Sequence, residues 1–576
     1  MAGNLFDSID GVAAGDGAAP WAARSPFRPE ADRDLMLVPR VRGDWTTDER
    51  AREALDRIAA DPAVAEVREH AKGVDVRLDD EWIEARGEPL EAGAADPAAH
   101  ADIAAGQRYA VYFWGANTTK ALHIGHLRNL ALGNAIAAAL RTGGAKVESR
   151  SLICDVGRSM GEAMAGVVAS GRADDELGGE SGEKSDHFVG LCYADYVKAG
   201  REAVGDDGAE DSVARESALY HDKADELMMR VLAGDQRALE LWSKTRAWVI
   251  SGQRKTLARL GVPFDKVIFE SDFLPEVAEL TNLGLREGML RRREDGMIYY
   301  PTRREELEEM PLVRSDGLPT QHMRALAYWS AAPELDDFTS LQVCGTEWVS
   351  HVTCRRQLLD ALALAQSNGH PNPVSNGNGA GGPPTHDVFH GMVARRNEAV
   401  SSSKKGALLI DEMVEWVDEA IAADPVLEEV RRAHPQPDRV AARVILAWFL
   451  LQTTSKGVEF EPELLFEPER SLGWDIVCAQ AHRSAVAVGA GASGGGGGGG
   501  TDGGAADPDY RFAVVQSELF RRHLRSSIDD LDPVPLARYL SHFARWYGEV
   551  ERSPRVEAVA QAVLDEGVRG LGLEAA

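Results

Sequence analysis

The chain is short of cysteine, of net positive charge and of long apolar runs. Cys154, Cys192, Cys344, Cys354 and Cys478 are its five cysteines in 576 residues. They are sparse, odd in number and form no CxxC pair, which argues against a disulfide framework and fits a reducing cytoplasm. Cys344, His351 and Cys354 lie close together, but no second ligand pair accompanies them, so they read as structural rather than as a zinc site. No apolar run approaches a membrane span, and Met1 to Ser8 shows neither the basic nor the apolar region of a signal peptide. The expectation is a cytoplasmic protein with no membrane partner. A formal net charge of −29 argues against nucleic acid being gripped by the whole surface and leaves room for a local basic face. The short clusters Arg291-Arg292-Arg293, Arg355-Arg356 and Arg521-Arg522 read as solvated helix faces. The rest is ordinary globular material, 44% hydrophobic and 27% charged, in a chain long enough for several domains.

The richest stretch is His123-Ile124-Gly125-His126. A strand-like run, Tyr109 to Trp114, precedes it, followed by a turn from Gly115 to Lys120. A helix-like run from Leu127 to Arg141 comes next, and Gly143-Gly144 can stop it. A strand feeding a helix through small residues presents backbone N–H groups to an anion. His123 and His126 are three apart and share a helical face. Two imidazoles at such a helix start suit an ATP phosphate, and Gly125 between them belongs to the same candidate ATP-binding turn.

The string Asn117-Thr118-Thr119-Lys120-Ala121-Leu122-His123-Ile124-Gly125-His126-Leu127-Arg128-Asn129 resembles the signature of class I aminoacyl-tRNA synthetases in its arginyl-tRNA synthetase version. The resemblance implies ATP-dependent activation of an amino acid, arginine or a related one, as an adenylate, then transfer to tRNA. It also implies ATP with Mg2+ as cofactors and a monomeric chain. His123 and His126 match the positions that stabilise phosphate charge, and Asn117 matches the one that holds the substrate's amino group. Asp155, in Cys154-Asp155-Val156-Gly157, matches an Asp-x-Gly that ends the next strand, and the resemblance assigns it to amino-acid binding. A second phosphate loop is expected at Val400 to Gly406, where Ser402, Ser403, Lys404 and Lys405 match and Val400 stands in place of the leading lysine. Lys120, just ahead of the histidines, is the expected substitute.

The resemblance weakens at the amino-acid pocket. Glu270 is kept, but Gln321, Ala325 and Trp348 occupy positions where the family has Tyr, Asp and Gln. A guanidinium prefers planar carboxylate partners, so either the substrate differs or Asp336 or Asp337 compensates. A ligase acting on a small amine or carrier protein, and a non-catalytic tRNA-binding protein, are the rival readings.

The expected architecture is an α/β, doubly wound Rossmann-like core with additions. Residues 1–35 read as a loose tail, and 36–108 as a small α/β module with a helix from Thr47 to Ala60 capped by Thr46 or Thr47. Residues 109–410 read as the catalytic domain, with a helical insertion at about 160–260. Residues 411–576 read as an all-α, anticodon-binding-like bundle, interrupted by a glycine-rich loop at 489–507 with seven consecutive glycines.

Overall fold

The computed structural model describes residues 21–24, 29, 30, 33–40, 44–93, 99–175, 177, 183–204, 223–331, 337–366, 385–395, 398, 399, 408–466, 473–482, 505, 507–550 and 553–574. The first unit is a four-stranded antiparallel sheet of β1 (Trp21–Arg24), β2 (Leu35–Pro39), β3 (Val64–His70) and β4 (Gly73–Leu78), in the order β1-β2-β4-β3. Helices α1 (Glu49–Ala59) and α2 (Asp80–Glu91) complete it. The expected tail is therefore corrected: it contains a strand. Trp21 and Ala23 alternate inward, and the Trp21 Nε1–H donates to the Ala51 carbonyl at 2.9 Å. Four residues in an Ala-, Gly- and Asp-rich setting are too short a period to read. Asp48, not a threonine, caps α1 by accepting from the Ala51 N–H.

The core is a five-stranded parallel sheet of β5 (Arg108–Tyr112), β6 (Lys146–Ile153), β7 (Lys266–Phe269), β11 (Thr339–Gly345) and β12 (Thr385–His390). Its order is β12-β11-β5-β6-β7. The chain starts at β5, winds one way to β6 and β7, then returns to the other side for β11 and β12. The winding reverses beside β5, and the crevice beyond the strand ends there is where such sheets take ligands. Helix α3 (Ile124–Thr142) links β5 to β6 and is buried along most of its length. Between β6 and β7 the described residues form α4 (Arg158–Ala169), α5 (Ser185–Val204), α6 (223–232) and α7 (Gln236–Leu260). Beyond β7 come α8 (Leu274–Arg286) and an antiparallel meander, β8 (Arg291–Arg292), β9 (Ile298–Arg304) and β10 (Leu307–Val313). Helices α9 (Gln321–Ala331) and α10 (Val349–Gln366) flank β11.

The remaining elements are β13 (Val393–Arg395), β14 (Glu398–Ala399), α11 (Ile410–Ala423), α12 (Pro425–Ala433), α13 (Val440–Leu450), β15 (Val458–Glu459), α14 (473–482), α15 (Pro508–Asp529), α16 (Val534–Glu549) and α17 (Pro554–Gly570). The region expected to be wholly helical therefore contains a strand. Val458 and Glu459 pair in parallel with Val393 and Ala394 and tie the bundle to the core. Two residues have no periodicity of their own, so the partner alone makes them a strand. The N-terminal unit docks on the bundle through Arg511, whose Nε and a terminal nitrogen donate to both Asp34 oxygens at 3.0 and 2.7 Å. Both side chains are almost fully buried. Most of the glycine-rich stretch lies outside the described residues.

Candidate active site

His123 is the N-cap of α3, and its conformation follows from the turn that β5 feeds. The Gly125 N–H donates to His123 Nδ1 at 3.2 Å, and the His123 N–H donates to His126 Nδ1 at 3.1 Å. The ring centroids are 4.0 Å apart. An imidazole nitrogen that accepts carries no proton, so each neutral ring keeps its proton on Nε2. Burial, then repulsion by His126 and Lys120, pushes the His123 pKa down to about 2. Burial, then Lys120, brings His126 to about 4. At neutral pH both rings are uncharged donors with Nε2–H left for a ligand. A Cβ on Gly125 would lie 3.0 Å from the His123 ring, so glycine leaves the room the cap needs.

Lys120 lies close enough to this pair to lower both of their pKa values. Among the described residues no hydrogen bond or ion pair engages its ammonium, and burial lowers its pKa to about 8. The backbone beside it is pinned from the insertion: the buried Gln253 amide on α7 donates to the carbonyls of Asn117 and Lys120 at 3.1 and 2.8 Å. Arg128, the next polar residue on α3, donates to the carbonyls of Gly391, Thr453, Thr454 and Lys456.

Val400, Ser402, Ser403, Lys404, Lys405 and Gly406 lie outside the described residues. The segment from Leu408 to Asp411, just beyond them, is tied to the histidine turn. The Ile124 N–H donates to the Leu408 carbonyl and the Ile410 N–H to the Leu122 carbonyl, both at 3.0 Å. Asp411 accepts from Lys184 Nζ at 2.7 Å, from His187 Nε2 at 3.0 Å and from the Thr256 hydroxyl. Asp186, His187 and Asp411 could in outline hold a cation. The Lys184 ammonium already fills that role, bonded to both carboxylates. The histidine turn with Lys120 offers N–H and ammonium donors rather than oxygen ligands, so its described residues do not fit a resident Mg2+.

Two cavities open beside the end of β5. One, of about 120 Å³, is walled by Tyr112, Trp329, Trp348, Glu270 and Arg355 among others. The other, of about 210 Å³, takes Asn117 and Arg324, and Cys154 and Gln321 line both. Glu270, Gln321, Ala325 and Trp348 therefore meet around one space, and Asn117 lies on the neighbouring one. Asp155 lines neither. Its carboxylate is fully buried and accepts from Arg246 at 2.8 Å and from the Ser271 N–H and hydroxyl at 3.0 and 2.7 Å. It braces the segment after β7 instead of facing a ligand, which corrects its assignment to the amino acid. Gly157, two residues on, has φ +114 and turns the chain into α4.

Two pocket residues escape the sequence reading. Arg324 donates from Nε to Glu270 at 2.7 Å, from a terminal nitrogen to Cys154 Sγ at 3.0 Å, and to the Pro319 carbonyl. Burial weighs most on both groups. It pushes the Glu270 pKa up against the pull of Arg324, while the Arg324 pKa is raised in spite of burial by Cys154 and Glu270. The short contact between them is that of a carboxylate held by a guanidinium. Arg355, expected on a solvated face, lines the smaller cavity. It donates to Gln342 at 2.6 Å and lies 5.5 Å from the Trp329 ring centroid. Arg521 and Arg522 are also engaged, with Asp102 and with the Ala23 carbonyl. Asp337 does not compensate in the pocket: it is exposed and 3.7 Å from Arg108. Asp336 lies outside the described residues.

No family model matches the chain. Over 384 residues, 64% of this chain and 58% of the relative, it is 26% identical to the arginine–tRNA ligase of Borrelia hermsii. Over 254 residues, 43% of this chain and 42% of the relative, it is 32% identical to the arginine–tRNA ligase of Bacteroides fragilis. The chain thus spans less than two thirds of these curated relatives. Among solved structures, the Thermus thermophilus arginyl-tRNA synthetase superposes with a TM-score of 0.65 at 19% identity, covering 99% of each chain. The Plasmodium falciparum arginyl-tRNA synthetase gives 0.62 at 13%, covering 99% of this chain and 96% of that one. With the strand–turn–helix, the two histidines and the parallel sheet in place, the chain is similar in sequence to curated arginine–tRNA ligases and shares the fold of solved arginyl-tRNA synthetases.

Proposed function

We propose that the chain activates an amino acid with ATP, releasing pyrophosphate, and passes the acyl group from the adenylate to the terminal ribose of tRNA. The observation that carries this is the pair of Nε2–H donors on His123 and His126, beside a Lys120 ammonium that no described residue engages. In the first step a carboxylate oxygen of the amino acid attacks the α-phosphorus and the bond to the pyrophosphate oxygen breaks. No protein nucleophile is required. Catalysis consists of holding the reactants in line and meeting the charge that grows on phosphate oxygens. Neutral imidazoles donate to that charge without exchanging protons, and Lys120 adds a positive charge. Lys404 and Lys405, with Ser402 and Ser403, would meet the β- and γ-phosphates, and the segment that follows them, at Leu408 and Ile410, is tied to Ile124 and Leu122. Mg2+ enters with the nucleotide as part of the substrate. Asn117 would orient the amino group, while Glu270, Gln321, Ala325 and Trp348 face the side chain. The C-terminal helices would carry tRNA, and the chain would act as a monomer in the cytoplasm.

Pyrophosphate exchange with each of the twenty amino acids, with and without bulk tRNA, tests the reading. Exchange should appear with at least one amino acid and vanish in the double variant His123→Ala, His126→Ala while the circular dichroism spectrum is kept. Unchanged exchange in that variant would sink it.

A further inference from the structure

We infer that the cavity beside β5 takes an amino acid whose side chain is not cationic and ends in an acceptor oxygen, and that Arg355 reads that oxygen. This deepens the activation chemistry proposed above and rests on it. The first observation is that Glu270 is already spent. Arg324 lies against it at 2.7 Å, and both side chains are under 5% exposed. Arg324 is held at all three of its nitrogen corners, by Glu270, Cys154 and Pro319. An incoming guanidinium would have to strip a buried, threefold-bonded guanidinium from its carboxylate, leaving a bare charge inside the protein.

The second observation is independent. Arg355 sits in the wall of the same cavity, and among the described residues no carboxylate lies within ion-pair distance of it. The nearby Asp387 is engaged by Arg356 at 2.8 Å. Arg355 Nε–H is buried with no acceptor among the described residues, and the bond the side chain does make is to the Gln342 amide oxygen. Burial pulls its pKa down to about 10, as for a cation with too little compensation. With Glu270 neutralised by Arg324, Arg355 leaves the cavity one positive charge in excess. A second unpaired cation is repelled there, whereas a carbonyl or carboxylate oxygen gives Arg355 the acceptor it lacks. The Trp329 and Trp348 rings wall the remaining space with apolar faces that suit the aliphatic stem of such a side chain.

Citrulline is the sharpest probe, because it matches arginine in length and puts a carbonyl oxygen where arginine has a nitrogen. Citrulline, glutamine, glutamate and arginine are each compared by thermal stabilisation of the full chain and by pyrophosphate exchange. The expectation is that the best acceptor-ended amino acid exceeds arginine by about a hundredfold in exchange efficiency, as for sites that discriminate by a buried polar partner. Arg355→Met should abolish that preference, and Arg355→Lys should retain part of it. Arginine binding or exchanging as well as the best of the other three in the wild type overturns the inference. Should exchange fail with every amino acid while an acceptor-ended one still stabilises the protein better than arginine, the activation reading falls and the pocket reading stands. If none of the four stabilises the protein or supports exchange, the pocket reading falls as well.

Discussion

Replacing Lys120 by methionine should make the protein more stable and the enzyme far slower. The Lys120 ammonium is withdrawn from water without a counter-charge among the described residues, and its pKa falls from 10.5 to about 8. A drop of that size corresponds to about 3 kcal/mol of unfavourable desolvation at neutral pH. The side chain is not wholly sealed from solvent, so solvent screening halves the figure to about 1–2 kcal/mol. Methionine keeps the aliphatic stem and removes the charge, so the domain should melt a few degrees higher, at about 2–4 °C per kcal/mol. The rate should move the other way. A charge placed where phosphate charge grows contributes roughly 10²–10³ in rate, and that factor should disappear from kcat more than from the KM for the amino acid.

The pH dependence gives the same test a sign. Between pH 8 and 10.5 the unfolded chain holds a proton on Lys120 that the folded chain has lost. The unfolded state binds more protons there, so wild-type stability gains with rising pH across that window. The methionine variant lacks the gain, so the stability difference between the two proteins should be widest below pH 8 and vanish above 10.5. Thermal melts of both proteins from about pH 7 to 11, with pyrophosphate exchange near neutral pH, make the measurement. A variant that is less stable near neutral pH, or one that exchanges at the wild-type rate, refutes the reasoning.

Two further perturbations probe the scaffold. Arg511→Met leaves the buried Asp34 carboxylate without its two guanidinium donors, with the Leu78 N–H alone remaining, and should cost about 3–5 kcal/mol, seen as early proteolysis of residues 21–93, with pyrophosphate exchange kept at temperatures where the core stays folded. Undiminished protease resistance would show that Arg511 does not hold the N-terminal unit. Asp411→Asn removes the anion shared by Lys184 and His187. Burial opposes charge on Asp411, but bonds from His187 and Lys184 outweigh it and hold the pKa at about 2. Its folded pKa lies below its unfolded value of 3.8, so its stabilisation is full above pH 3.8 and is lost as pH falls through about 2. The variant should raise the KM for ATP about tenfold, since α11 starts the segment tied to the histidine turn. An unaltered KM would separate that network from the nucleotide.

The histidine turn is legible because its parts are contiguous. Strand, turn and helix fall within Arg108 to Thr142, and each has a local signal: a β-rich run, small turn residues and a glycine stop; the capping role of His123 is seen only in the structure. Element ends differ from the sequence pattern by a residue or two, while their order agrees with it. The strand at Trp21–Arg24 and the one at Val458–Glu459 are not legible, because each exists only through a partner distant in sequence. Asp155 illustrates a subtler failure. Its motif is plain in the sequence, yet the carboxylate is claimed by Arg246 from the insertion, a residue no local pattern points to. Gln253 and Asp411 belong to the same class, with roles set by contacts between α7, the turn before α3 and α11.

The amino-acid cavity shows why a single family-matching residue is a weak guide to specificity. Glu270, read alone, invites a cation. Its effect depends on what the fold sets against it, and the carboxylate is matched by Arg324 from α9 before any substrate arrives. The quantity that selects a ligand is the charge left after internal pairs are formed, and here that remainder sits on Arg355. A paired Arg324–Glu270 unit projects little field, so the reversal in the cavity need not disturb His123, His126 and Lys120, which draw on backbone geometry and burial instead. The two halves of the site can therefore change independently. On the proposed function, adenylate chemistry would be set by a short contiguous turn, and the identity of the amino acid by a balance of guanidinium and carboxylate groups drawn from separate elements between β7 and α10.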